Sequence, residues 1–128
     1  MSDSIPFEDA TYLVERAFVL AADKTAAVLE QAIITISTGK GGKKRISGSG
    51  RIHNILLVQL LEDHDDLDMM LDLGGEFKYY LTSPDIGAGK VFAPDTQSSI
   101  QFSPTSPWQK MPEAEFDELI QRLKILKS

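Results

Sequence analysis

Cysteine is absent from all 128 residues. That excludes a disulfide scaffold, thiol chemistry and any zinc site built on thiolates. Long apolar runs are missing too, the longest falling well short of the roughly 20 residues a membrane helix needs. The first residues, Met1-Ser2-Asp3-Ser4, carry no positive charge, and Glu8, Asp9 and Glu15 follow closely, so this stretch does not read as a signal peptide. Basic residues are in the minority, 13 against 19 acidic ones, for a net charge of −6. Such a chain repels bulk nucleic acid and anionic lipid and favours basic protein partners. What remains is an ordinary globular composition, 42% hydrophobic and 25% charged. Its length suits one domain over 1–128, and a cytoplasmic location is the expectation.

The charge is unevenly placed. Gly39 to Arg51 holds five bases, Lys40, Lys43, Lys44, Arg45 and Arg51, and no acid. Residues 52–76 reverse this, with Glu62, Asp63, Asp65, Asp66, Asp68, Asp72 and Glu76 and no base.

Apolar spacing gives a coarse architecture. Phe7, Ala10, Leu13, Val14, Ala17, Phe18 and Ala21 recur at three- and four-residue intervals, which predicts a helical segment over 7–31, single or kinked at Asp23. Ile33-Ile34-Thr35-Ile36 is β-branched and predicts a strand over 32–38. Gly39–Gly50, with five glycines, reads as a flexible basic loop with room for a short strand at Lys43–Ser47. Ile52–Leu61 is apolar enough for a buried strand or a buried helix, and periodicity does not separate the two. Phe77, Tyr79 and Leu81 alternate with polar neighbours as a half-buried strand does. Extended pieces are expected near Lys90–Ala93 and Ser98–Phe102. Phe116, Leu119, Ile120, Leu123 and Leu126 mark one face of a helix from Pro112 to Lys127, with acids at its start and bases at its end. The expected fold is therefore α+β: an antiparallel sheet flanked by an N-terminal helical segment and a C-terminal amphipathic helix.

No motif specifies catalysis. Thr38-Gly39-Lys40-Gly41-Gly42-Lys43-Lys44-Arg45 lacks the glycine spacing and the Lys-Ser or Lys-Thr pair of a phosphate loop. Were 64–72 helical, His64, Asp68 and Asp72 would share a face that could hold a cation, but calcium-loop order is missing. None of the serines lies in a nucleophile elbow. Tyr79, Tyr80, Phe92, Phe102 and Trp108 read as core or interface aromatics, with Trp108 packing the last helix on the sheet. No metal or cofactor is implied.

The leading expectation is a small acidic protein-binding module without enzymatic activity. Inhibitor or immunity-type proteins and secretion-chaperone-like adaptors share its size and charge, though no motif assigns it to either. Asp63, Asp65, Asp66, Asp68 and Asp72 would steer a basic partner. The alternative is a phosphate-ligand or nucleic-acid binder acting through Lys40, Lys43, Lys44, Arg45 and Arg51. An apolar helix face and a free sheet edge suit a monomer and a homodimer equally.

Overall fold

The computed structural model describes residues 8–42, 44–63, 66–88, 97–105 and 109–126, and strands dominate it. Sheet A runs in the spatial order β1 (Ala10–Leu13), β4 (Glu30–Thr38), β5 (Lys44–His53), β9 (Gln97–Ser103), β8 (Asp85–Ala88). Sheet B runs β10 (Gln109–Lys110), β7 (Lys78–Leu81), β6 (Asp68–Asp72), β2 (Arg16–Leu20), β3 (Thr25–Val28), β11 (Lys124–Ile125). Every ladder is antiparallel except β11 on β3. The two helices are α1 (Asn54–Asp63) and α2 (Glu113–Arg122).

One apolar core unites the inner faces of the sheets. Ile34, Ile36, Ile46, Ile52, Ile100 and Phe102 of sheet A meet Ala17, Val19, Ala27, Met69, Leu71 and Tyr79 of sheet B, and Leu56, Leu57 and Leu60 of α1 join them. A second, smaller core lies on the far side of sheet B, where Phe116 of α2 covers Phe18, Leu20, Ala26 and Met70. The layers are thus sheet A, sheet B and α2, and the outer face of sheet A has no such cover among the described residues.

Close approach explains two glycines of β5. A Cβ at Gly48 would stand 2.2 Å from Cζ of Phe102, its cross-strand partner, and one at Gly50 would stand 2.5 Å from Leu29 Cγ. Each glycine makes room for a large side chain inside the sandwich. Gly48→Ala is expected to cost about 1–3 kcal/mol by overpacking, read as a lower midpoint in urea. An unchanged midpoint would show that the Phe102 ring moves aside freely.

The predicted N-terminal helix is overturned: β1, β2 and β3 occupy that stretch. Ala17, Val19 and Ala21 belong to the inner core while Phe18 and Leu20 belong to the outer one. A strand buried on both faces reads as a continuous apolar run, and such a run contains helical spacings by coincidence. Asp23, read as a helix start, turns the β2–β3 hairpin instead. Its Oδ1 accepts from the Thr25 N–H at 2.9 Å, and Lys24 adopts φ 73°. The short polar side chain that caps a helix also closes a turn.

Gly39–Arg51 is a loop only at its start, a 3₁₀ turn at Lys40–Gly42, and β5 begins at Lys44. Residues 52–61 divide between the end of β5 and α1. The strand over 32–38 and the C-terminal helix are present, as β4 and α2, the latter ending at Arg122. Ser98–Phe102 falls within β9. Lys90–Ala93, Phe92, Ser106 and Trp108 lie outside the described residues.

Candidate functional site

The acidic segment does not assemble into one surface. His64 and Asp65 lie outside the described residues, and Asp63 is placed only as the last residue of α1. Asp66 is exposed. Asp68 opens β6, so the helical face that would align it with His64 and Asp72 does not exist. It is half-buried, accepting the Tyr80 hydroxyl and the Ser83 N–H, the latter at 2.9 Å. Burial first, then the hydrogen bond to Asp68 and its charge, push the Tyr80 hydroxyl far above the usual phenol range. Burial, and secondarily Glu76, raise Tyr79 as well. An ultraviolet titration should therefore show late ionisation from Tyr79 and Tyr80, and Tyr80→Phe should remove one late-titrating tyrosine. A wild-type curve with no late-titrating tyrosine would contradict this placement.

Asp72, at the far end of β6, is internal. It is 2% exposed, and Lys78 on the neighbouring strand β7 is 3% exposed. Lys78 Nζ donates to Asp72 Oδ1 at 3.0 Å and to the Gly75 carbonyl at 2.6 Å. Arg16 Nε donates to Asp72 Oδ2 at 2.8 Å, and the Gly74 N–H to Oδ1 at 2.9 Å. Burial alone would raise the Asp72 carboxyl, but the Gly74, Lys78 and Arg16 donors outweigh it and hold it below the usual carboxylate range. Arg16 also reaches Asp117 of α2 at 3.5 Å. Asp72 is thus the centre of a pin between sheet B and α2.

The basic residues lie elsewhere, on the β4–β5 hairpin. Lys43 lies outside the described residues. Lys44 is consumed locally: its Nζ donates at 2.7 Å to Asp9, which also accepts the Thr38 N–H and hydroxyl. Those donors, Lys44 foremost, depress the Asp9 carboxyl. Lys40, Arg45 and Arg51 are exposed and make no ion pair among the described residues.

β5 is the central strand of sheet A, and its alternation sorts the hairpin. Ile46, Gly48, Gly50 and Ile52 face the core; Arg45, Ser47, Ser49 and Arg51 face outward. Neighbouring strands extend this polar face. Thr35 lies opposite Ser47, Ile33 and Gln101 flank Ser49, and Ser99 lies opposite Arg51. An open hollow of about 470 Å³ is lined by Ile33, Thr35, Ser47, Ser49, Gln101 and Asp85, among others. Arg45 and Arg51 stand at the two ends of the strand segment crossing it. The sequence hid this surface because five glycines suggested a loop. The signal was there in Ile46-Ser-Gly-Ser-Gly-Arg-Ile52, a strict alternation once glycine is counted as an inward residue.

What this surface offers is hydrogen bonding and fixed positive charge. Among the described residues no group of three or more His, Asp or Glu side chains is arranged to hold a metal ion, and no helix is long and apolar enough to cross a membrane. The class defined by fold and site is a two-sheet sandwich with one hydroxyl-rich sheet face that is uncovered among the described residues. No family model, curated protein or solved structure matches the chain.

Proposed function

We propose that this protein is a binding module without catalytic activity, and that it docks its partner on the outer face of sheet A. One observation carries the reading. In a chain of net charge −6, three cations without an acid partner among the described residues, Lys40, Arg45 and Arg51, gather on a single hairpin. Arg16 and Lys78 are held by Asp72, Lys44 by Asp9, Lys110 by Glu76 and Arg122 by Glu118. Lys24 and Lys124, which also make no ion pair among the described residues, lie on sheet B and its β2–β3 turn, away from this face. Unpaired like charges beside an open polar hollow are available to a partner, and such charges act chiefly on association rate and specificity. Of the acids that would recognise a basic partner, Asp68 and Asp72 are engaged inside the protein, which leaves that reading with fewer contacts.

Comparative capture from the host's lysate tests the proposal. Three baits are used: wild type, the triple variant Lys40→Glu/Arg45→Glu/Arg51→Glu, and the double variant Glu62→Gln/Asp66→Asn. The expected result is a stoichiometric partner lost with the triple variant and retained with the double variant. The reverse pattern would move the contact to the acidic segment and overturn the proposal, as would identical capture by all three.

A further inference from the structure

Resting on that reading, we infer that the partner presents an extended acidic segment whose two carboxylates, six residues apart, lie against Arg45 and Arg51. The spacing follows from β5 itself. Arg45 and Arg51 are six residues apart on one face of a continuous strand, which sets their backbones about 20 Å apart at ~3.3 Å per residue. An extended peptide rises by the same amount per residue, so its side chains at i and i+6 fall into register with the two arginines. Between them Ser47 and Ser49 repeat every second residue, and each hydroxyl both donates and accepts, as a peptide backbone requires. The hollow leaves room for chain between the two anchors.

The surroundings select the spacer. Glu30, opposite Arg51 on β4, already accepts from Gln97 Nε2. Asp85 on β8 stands two strands from β5, about 10 Å away, where it opposes further negative charge near the middle of the segment. Two carboxylates separated by neutral residues therefore fit better than a uniformly acidic tract. Nucleic acid fits less well. The outward positions of β4, β5 and β9 carry no Phe, Tyr or Trp for bases to stack on, and the net charge of −6 opposes a long polyanion.

The probe is a synthetic peptide of Glu, five neutral residues and Glu, titrated into the whole protein at low ionic strength and followed by amide NMR. Shifts are expected at Ser47, Ser49 and Arg51. Arg45→Gln and Arg51→Gln should each weaken binding roughly two- to fivefold, the range for one exposed ion pair. A peptide with its glutamates only two residues apart should lose a similar factor, and Lys124→Gln should change nothing. Equal affinity for the two spacings, or full affinity in both arginine variants, would overturn the inference. So would a single-stranded oligonucleotide that binds more tightly than the peptide at the same residues. If the triple variant still loses its lysate partner while the peptides show no spacing preference, the docking face stands and the acidic segment falls. If neither effect is seen, both fall.

Discussion

Replacing Asp72 with asparagine is expected to destabilise the protein by about 3–5 kcal/mol, the usual cost of removing one partner from a buried ion pair. The reason lies in what is left behind. Lys78, whose side chain is 4% exposed, loses the neighbouring carboxylate charge and is left with neutral acceptors, the Gly75 carbonyl and the amide oxygen of the new asparagine. Arg16 is half in solvent and can turn toward Asp117, so it loses less. The double variant Asp72→Asn/Lys78→Met should therefore be more stable than Asp72→Asn alone, because it removes the orphaned charge along with its partner. Urea denaturation of the four proteins in the cycle measures this. Additive losses would show that the Lys78 ammonium does not depend on Asp72.

The same carboxylate gives a pH signature. Its folded-state pKa lies below its unfolded one, so the unfolded chain binds the proton more readily. Its contribution is fully present above the unfolded value of about 3.9 and fades as pH falls through the depressed folded value. Wild type should lose stability more steeply than Asp72→Asn below about pH 4. Parallel acid limbs in the two proteins would argue against the pairing.

How much of this was legible depended on burial on one face or two. β4 was readable because Ile33-Ile34-Thr35-Ile36 is β-branched, a local preference that needs no knowledge of neighbours. α2 was readable because it lies on the surface, with Phe116 facing the sheet and Glu113, Glu115 and Arg122 at the ends the dipole favours. β2 was not, because a strand between two covered faces loses the alternation that identifies strands. The site followed the same logic. Sequence shows that Asp72 is acidic and Arg51 basic, but not that the former meets Lys78 and Arg16 inside the fold while the latter faces solvent on a central strand. Which charges remain free is a property of strand pairing, and pairing between distant segments such as β2 and β6 has no local signature.

Phe116→Ala tests the outer layer and should cost about 3–5 kcal/mol, as truncating a buried aromatic does. The ring is fully buried and is the centre of the smaller core, surrounded by Phe18, Leu20, Ala26 and Met70. Two cations also stand near it, Arg16 Cζ at 5.7 Å and Lys78 Nζ at 5.9 Å from its centroid. The ring therefore contributes apolar area to one side and a negative π face to the Asp72 pin on the other. Phe116→Leu separates the two roles. Leucine preserves much of the burial but offers no π face, so the electrostatic part should appear as a loss of about 0.5–2 kcal/mol beyond the lost volume. That part should shrink when Asp72→Asn is already present, since the geometry of both cations depends on the carboxylate. Hydrogen exchange should then distinguish release of α2 from global unfolding. In Phe116→Ala the amides of α2 should exchange faster, while those of β4 and β5, in the sheet remote from α2, keep more of their protection. Uniform loss of protection across both sheets would mean that α2 is an integral part of the sandwich rather than a separate layer held on by one ring.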